Sequence, residues 1–309
     1  MKIITITLNP AFDVHCRLDS FVPFHENLAT VTERDAGGKG VNISRALSAN
    51  GTPNLAFLVL GEENASDFTQ CLAKENIKTR GILVSGRIRE NITIHESNAR
   101  ETRISFSGFS INKSLLNNIE REILSILKKE DFVTFTGRVP NGIDMEDVTS
   151  FLKKMKDAGA KIILDSRSFE KQDILQVKPW LIKPNQEEIS HYSGTDIQSK
   201  DEAISAAIAL KDAGIDNVLI SLGEQGAILV CADGIFEASA PKIQVLSTIG
   251  AGDSSIAGFL TVASQGGSAT DCLKTAVAYG SAACLKKGTQ APDGDDIQKM
   301  LCEITVTKR

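Results

Sequence analysis

No apolar stretch in the sequence approaches the roughly 18 residues that a membrane-spanning helix requires. The opening "MKIITITLNP" is a β-branched run too short for a secretory core, so neither export nor membrane insertion is expected. The six cysteines (Cys16, Cys71, Cys231, Cys272, Cys284 and Cys302) are scattered, with no CxxC pair and no metal-ligand spacing. They read as reduced thiols of a cytoplasmic protein. Excess charge is missing as well. The net charge of -5 gives no general pull toward nucleic acid or an anionic membrane, so an anionic ligand needs cations gathered locally. Repeats, low-complexity tracts and long charge runs are absent. No GxxxxGK[ST] spacing occurs, which excludes a Walker A loop.

What is present is an ordinary globular composition, 42% hydrophobic and 24% charged, in a chain of 309 residues. That length suffices for a large core in one big domain or two unequal ones. Short β-rich runs alternate with helical patterns. Strands are predicted at 2–8, 54–60, 131–137, 161–165, 180–185 and 217–223. Between them lie segments of 3.6-residue period, such as Leu115, Leu116, Ile119, Ile123, Leu124 and Leu127. Apolar runs without alternation fit strands buried on both faces. The alternation predicts an α/β doubly wound, mostly parallel sheet flanked by helices.

Two stretches break the rhythm. Residues 12–34 and 87–107 lack helical period and alternate polar with apolar side chains, as half-exposed antiparallel strands do. They are expected to form one small sheet that projects from the core and covers a cleft as a lid. Its uncovered edge and apolar residues point to pairing with a second copy of the chain.

In open α/β sheets, ligands bind beyond the carboxyl ends of the strands. "AGGKGVN" (36–42) leads into a helix, and its paired glycines allow close approach of a ligand, with Lys39 adding charge at the helix start. A Gly-rich turn with a solvated lysine is the plainer alternative. "STIGAGDSSIAGF" (247–259) has Gly250 and Gly252, but Ser255 stands where a dinucleotide fingerprint needs its third glycine. The loop can instead present amides to a phosphoryl group in transfer, with Asp253 placed to accept a proton. Helix capping by Asp253 is the competing reading.

Taken together, these segments resemble the ribokinase-like (PfkB) carbohydrate kinase family over nearly the whole chain. "STIGAGDSSIAGFL" (247–260) is similar to its C-terminal signature and "GGKGVN" (37–42) to its N-terminal one. "TLNPAFD" (7–13), "IKPNQEE" (182–188) and "ISFSGF" (104–109) resemble the 1-phosphofructokinase and tagatose-6-phosphate kinase branch. The resemblance implies one kinase domain over 1–309 that uses ATP and Mg²⁺. Asp253 would be the general base and Gly250, Ala251 and Gly252 the anion hole. Asp13, Gly38 and Asn42 would hold sugar hydroxyls, and Lys39 with Arg89 the phosphate already on the sugar. Lys183, Asn185, Ser221, Gly223, Glu224 and Gly226, with Gly250 and Gly252, would bind the nucleotide, and Glu188 would reach Mg²⁺, directly or through water. A homodimer through the lid follows from the same resemblance.

Two departures stand out. The branch often carries lysine two residues after the asparagine of R-x-N, where this chain has Thr93. "TGRVPNG" (136–142) replaces a usual small serine with Arg138, a cation expected near the same pocket. Arg103 is a further cation in the lid, or merely a solvated strand residue. The expected reaction is ATP-dependent phosphorylation of a ketohexose monophosphate, fructose 1-phosphate first. The alternatives are tagatose 6-phosphate, an unphosphorylated sugar or nucleoside, and a non-catalytic nucleotide-binding regulator.

Overall fold

The computed structural model describes residues 1–98 and 100–309. The opening β-branched run forms β1 (Ile3–Thr7), buried throughout. It is followed by β2 (Ala11–Leu18), β3 (Thr30–Gly37) and helix α1 (Lys39–Ala49). The chain continues through β4 (Asn54–Gly61), α2 (Ala65–Lys74), β5 (Thr79–Val84), β6 (Arg89–Glu96) and β7 (Glu101–Ser105). Helices and strands then alternate: α3 (Lys113–Leu124), β8 (Phe132–Thr136), α4 (Met145–Asp157), β9 (Lys161–Asp165) and α5 (Lys171–Val177). Next come β10 (Leu181–Ile182), α6 (Gln186–Ser193), α7 (Lys200–Asp212), β11 (Asn217–Ser221), β12 (Ala227–Cys231) and β13 (Gly234–Ala238). The last elements are α8 (Ala251–Ala263), α9 (Ala269–Ala283), α10 (Gly294–Glu303) and β14 (Val306–Lys308).

The main sheet has ten strands in the order β14-β13-β12-β11-β10-β9-β8-β1-β4-β5. Neighbours from β11 to β5 are parallel, and β12, β13 and β14 extend one side in antiparallel fashion. Its strands lack polar alternation because both faces are covered. Ile4 and Ile6 enter the core shared with α2 to α7, and Ile3 the core shared with α1, α8, α9 and α10. The predicted strand at 180–185 shrinks to Leu181–Ile182, because Pro184 has no amide to extend the ladder. Strands β5, β12, β13 and β14 lie outside the predicted runs. Two of them, β12 and β13, pair around Asp233-Gly234, where Gly234 has φ 126.

The two irregular stretches form one four-stranded sheet in the order β3-β2-β6-β7. The expectation of antiparallel strands holds for β2–β3 and β6–β7 and fails at the seam, where β2 and β6 are parallel. The reason is topological: α1, β4, α2 and β5 intervene between β3 and β6, so no hairpin turn dictates direction at the seam. The root of this sheet is tied to the core. Phe12 packs edge-on against Phe68 of α2 at 5.1 Å, and the Arg34 guanidinium covers the Phe12 ring at 3.6 Å.

Behind the main sheet, Trp180 lies edge-on between Phe132 (5.1 Å) and Phe259 of α8 (6.0 Å). Helices α8 and α9 meet closely at Gly258. A Cβ there would stand 2.5 Å from the Thr275 carbonyl and 2.8 Å from the Tyr279 ring. Gly258→Ala tests this contact, since in a free helix alanine is favoured over glycine by about 1 kcal/mol. Here overpacking of about 1–3 kcal/mol reverses the sign, so the urea midpoint should fall. A midpoint that rose would show that the two helices have room to spare.

Candidate active site

The carboxyl ends of the parallel strands, the N-termini of α1 and α8 and one face of the small sheet enclose a cleft of about 700 Å³. Thr7 ends β1, Thr136 ends β8, Asp165 ends β9 and Ser221 ends β11, and all four line it. Asp13, Arg89, Asn91, Arg103 and Ser105 approach from the small sheet.

Both helices arrive uncapped. Gly38 (φ 125) precedes α1 and Gly250 (φ 79) precedes α8, and neither terminus has a side-chain cap. The left-handed backbone favours glycine at both. At Gly38 space also forbids a larger residue, since a Cβ would meet Thr7 Cγ2 at 2.9 Å. The first amides of a helix lack intrahelical acceptors and carry the positive end of its dipole. The Ala251 amide is not free, because it donates to the Thr248 carbonyl at 3.3 Å. Of the three residues expected to form the anion hole, Ala251 thus already has its amide engaged within the turn. Lys183 Nζ lies beside that turn, 3.0 Å from where a Cβ on Gly252 would stand.

Asp253 is buried in the first turn of α8, with Oδ2 accepting from Asn42 Nδ2 at 2.9 Å. Burial pushes its carboxyl up to about 6, with Asp165 adding to the rise against the pull of Lys39, Asn42 and Lys183. Sequence reasoning missed Asp165. The signal was available, an acid closing the apolar run "KIILD" at the ligand end of a strand. Lys39 Nζ donates to Asp165 Oδ2 at 3.0 Å. Burial works against both charges of that pair. The nearby lysines still hold Asp165 below the usual carboxylate range, and Asp165, Asp253 and Glu188 lift Lys39 above the usual lysine value.

The opposite end of the cleft is cationic. Arg89 donates to the Phe106 carbonyl at 2.8 Å and to Asn91 Oδ1 at 3.2 Å, while its Nε is buried without a partner. Burial, followed by repulsion from Arg138, lowers its pKa; Arg103 adds to the fall and Asp13 opposes it. Arg89, Arg103 and Arg138 all line the cleft, and the last two are near enough for their charge to be felt at Arg89. Lys39 and Arg89 line the same cleft; the charged neighbours that perturb Lys39 are the carboxylates of Asp165, Asp253 and Glu188, and those of Arg89 are Arg138, Asp13 and Arg103. Thr7, Asn9 and Thr136 add buried oxygens without partners to the lining.

Of the residues expected at the nucleotide, Lys183, Asn185, Ser221, Gly250 and Gly252 line the cleft. Gly223 and Glu224 stand exposed in a short 3₁₀ turn outside it, and Gly226 is buried behind. The N-x-x-E spacing has a local meaning. Asn185 caps α6 by accepting from the Glu188 amide at 2.8 Å, and Glu188 Oε2 accepts from the Asn185 amide at 3.0 Å. Glu188 Oε1 faces Arg167 at 3.3 Å.

No group of three or more His, Cys, Asp or Glu among the described residues is arranged to cage a metal ion. Asp165 and Glu188 line the cleft singly. Such a donor set fits a Mg²⁺ that keeps most of its water and arrives with nucleotide phosphates.

Residues 13–295 match the pfkB family carbohydrate kinase model, and the chain belongs to that family. It is 31% identical over 307 residues to the 1-phosphofructokinase of Haemophilus influenzae, covering 99% of this chain and 98% of the relative. The Escherichia coli 1-phosphofructokinase is 32% identical, with 98% and 97% covered. Among solved structures, phosphofructokinase-2 from Escherichia coli superposes with a TM-score of 0.91 at 26% identity, covering 98% of both chains.

The raised Asp253 value has a cost in stability. The folded state holds this proton more tightly than an unfolded chain with the ordinary value of 3.8. The stability tied to the protonated form is therefore complete below about pH 4 and is lost as pH rises through about 6. Asp253→Asn should be the more stable protein at pH 7.5, by up to about 3 kcal/mol, and the gap should close toward pH 4. Urea titrations at the two pH values check this. An equal gap at both would remove burial of the charge as the cause.

Proposed function

We propose that the chain transfers the terminal phosphoryl group of ATP to a hydroxyl of a ketohexose monophosphate, with fructose 1-phosphate as acceptor and fructose 1,6-bisphosphate as product. The observation that carries this reading is the division of charge within one cleft. Three arginines crowd one end, while two uncapped helix N-termini and a buried carboxylate of raised pKa meet at the other. A neutral sugar gives no reason to line one cleft with Arg89, Arg103 and Arg138. A phosphate that stays on the acceptor does.

In this reading Arg89 and Arg138 hold the resident phosphate, and Asp13, Gly38 and Asn42 orient the sugar hydroxyls. The reacting hydroxyl loses its proton to Asp253, whose carboxylate Asn42 steadies. Charge on the phosphoryl group in flight meets the amides of Gly252 and Asp253 and the ammonium of Lys39. Lys183, Asn185 and Ser221 flank the nucleotide phosphates. Glu188 and Asp165 would face a hydrated Mg²⁺ there, which offsets phosphate charge when bound.

The small sheet acts as the lid of a single kinase unit spanning 1–309, and it supports a homodimer. Val22, Phe24, Leu28, Val31, Ile104 and Phe106 are exposed large apolar residues, and all belong to this sheet or its connections. A second copy would cover them. A cytoplasmic location is supported by six free thiols and by the absence, among the described residues, of a helix long and apolar enough to cross a membrane.

ATP consumption measured with fructose 1-phosphate, fructose 6-phosphate, tagatose 6-phosphate and fructose tests the acceptor directly. The first should give the highest kcat/KM, and a preference for free fructose would overturn the reading. Asp253→Asn should lower kcat about 10²- to 10⁴-fold while ATP still binds. In the parent protein kcat should fall as pH drops through about 6, because the base must be deprotonated. Retention of more than about a tenth of kcat would remove Asp253 as base. Arg89→Ala should cost about 10- to 100-fold in kcat/KM with the phosphorylated sugar and little with fructose. Equal losses on both would assign Arg89 to the lid's stability.

A further inference from the structure

Arg45 stands on α1 nearly one turn beyond Asn42 and is buried. Residues three apart on a helix are neighbours on one face. The Nε and Nη2 atoms of Arg45 donate to the two carboxylate oxygens of Glu75 at the end of α2, and Nη2 donates also to the Ala36 carbonyl in β3. Nη1 donates to Asn42 Oδ1 at 2.9 Å. A clamp tying α1 to α2 and β3 is complete with the first three bonds. The fourth leads toward the cleft, because Asn42 Nδ2 donates in turn to Asp253 Oδ2 at 2.9 Å.

That fourth bond decides which way the amide points. The oxygen and nitrogen of a carboxamide are nearly equal in size, so only their partners distinguish the two orientations. A guanidinium has donors and no acceptor, so the atom facing Arg45 must be Oδ1. The NH₂ group is then left to face Asp253. Without Arg45 the amide is free to turn over. Its oxygen would accept from a protonated Asp253, and the carboxylate would lose its neutral donor.

We infer that Arg45 is a positioning residue for the reaction: held by Glu75 and the Ala36 carbonyl, it fixes Asn42 in the orientation that gives Asp253 a donor, and so keeps the base ready to take a proton. The inference rests on the reading of Asp253 as general base given above. The charged groups that act on Asp253 are Lys39 from α1, Asp165 at the end of β9 and Lys183 beyond β10. Around Arg45 they are Glu75 and Asp35 of β3, on which Glu33 and His15 also act. The Asn42 bond pulls the Asp253 pKa down against burial. Losing that bond moves the pKa up, and the pH below which kcat falls rises with it.

The test follows kcat against pH, at saturating ATP and fructose 1-phosphate, in the parent, Arg45→Met, Asn42→Ala and the double variant. In Arg45→Met the midpoint of the acidic limb should rise by about 1–2 pH units, the worth of a hydrogen bond to a charged group. Above it kcat should be regained, with KM for ATP unchanged. Asn42→Ala should show a similar rise, and adding Arg45→Met to it should move the midpoint no further. A clamp that serves stability alone would lower the urea midpoint and leave the acidic limb where it was, and that result overturns the inference. So does an equal shift with and without Asn42, which would assign the effect to the charge of Arg45 or to Asp35. Arg45→Met strands Glu75, so Arg45→Met with Glu75→Gln carries the same measurement if the single variant fails to fold. Asp253→Asn separates the two levels. If it keeps more than about a tenth of kcat, the general-base reading falls and takes this inference with it. If kcat collapses there while Arg45→Met leaves the limb unmoved, this inference fails alone.

Discussion

Holding a carboxylate dry at the start of α8 sets the terms for the rest of the cleft. Asp253 is buried where a helix dipole would welcome it as an anion, yet desolvation outweighs that welcome and pushes its pKa up to about 6. A group in that balance needs neighbours that neither neutralise it nor flood it with water. Asn42 gives it one neutral donor, and Lys39, which would pair with it directly, is instead drawn to Asp165. The contact of α1 with α8 fixes Asn42 against Asp253, and the tight seat of α1 on β1 fixes Asn42 itself. Tight glycines at 38 and 258 serve this one placement from two sides.

Much of the architecture was legible in the sequence because the physics is local. Apolar runs without alternation announced strands covered on both faces, and each of the six predicted strands lies in the main sheet. The two irregular stretches announced a separate small sheet. What was not legible depends on partners far away in the chain. The parallel seam between β2 and β6 is decided by which strands meet, and no pattern within either strand records that. Strands β5 and β14 were missed because they are the two edges of the main sheet, where most of their residues are exposed and the run of buried apolar side chains that marks an interior strand is cut short.

The site shows the same division. The glycine loops, Asp253, Lys39 and Arg89 stand out in the sequence because each is an odd residue in an odd place, and the cleft gathers them all. Asp165 was overlooked because a strand-terminal acid is common in any sequence and acquires meaning only when Lys39 lies 3.0 Å away. The turn bond from the Ala251 amide to Thr248 cannot be read from a glycine pattern. The N-x-x-E motif was read as chemistry, whereas its spacing first satisfies the end of a helix.

The single tryptophan has a consequence for how this molecule can be watched. Trp180 touches Phe132 of the main sheet and Phe259 of α8, the helix that begins with the buried carboxylate. Nothing in the small sheet contains an indole. Intrinsic emission therefore reports the integrity of the central layer and the seating of α8, and it carries no direct signal from the small sheet. A change in that sheet would have to be followed with an extrinsic dye, placed away from the exposed apolar side chains around Phe24 that a second copy is proposed to cover.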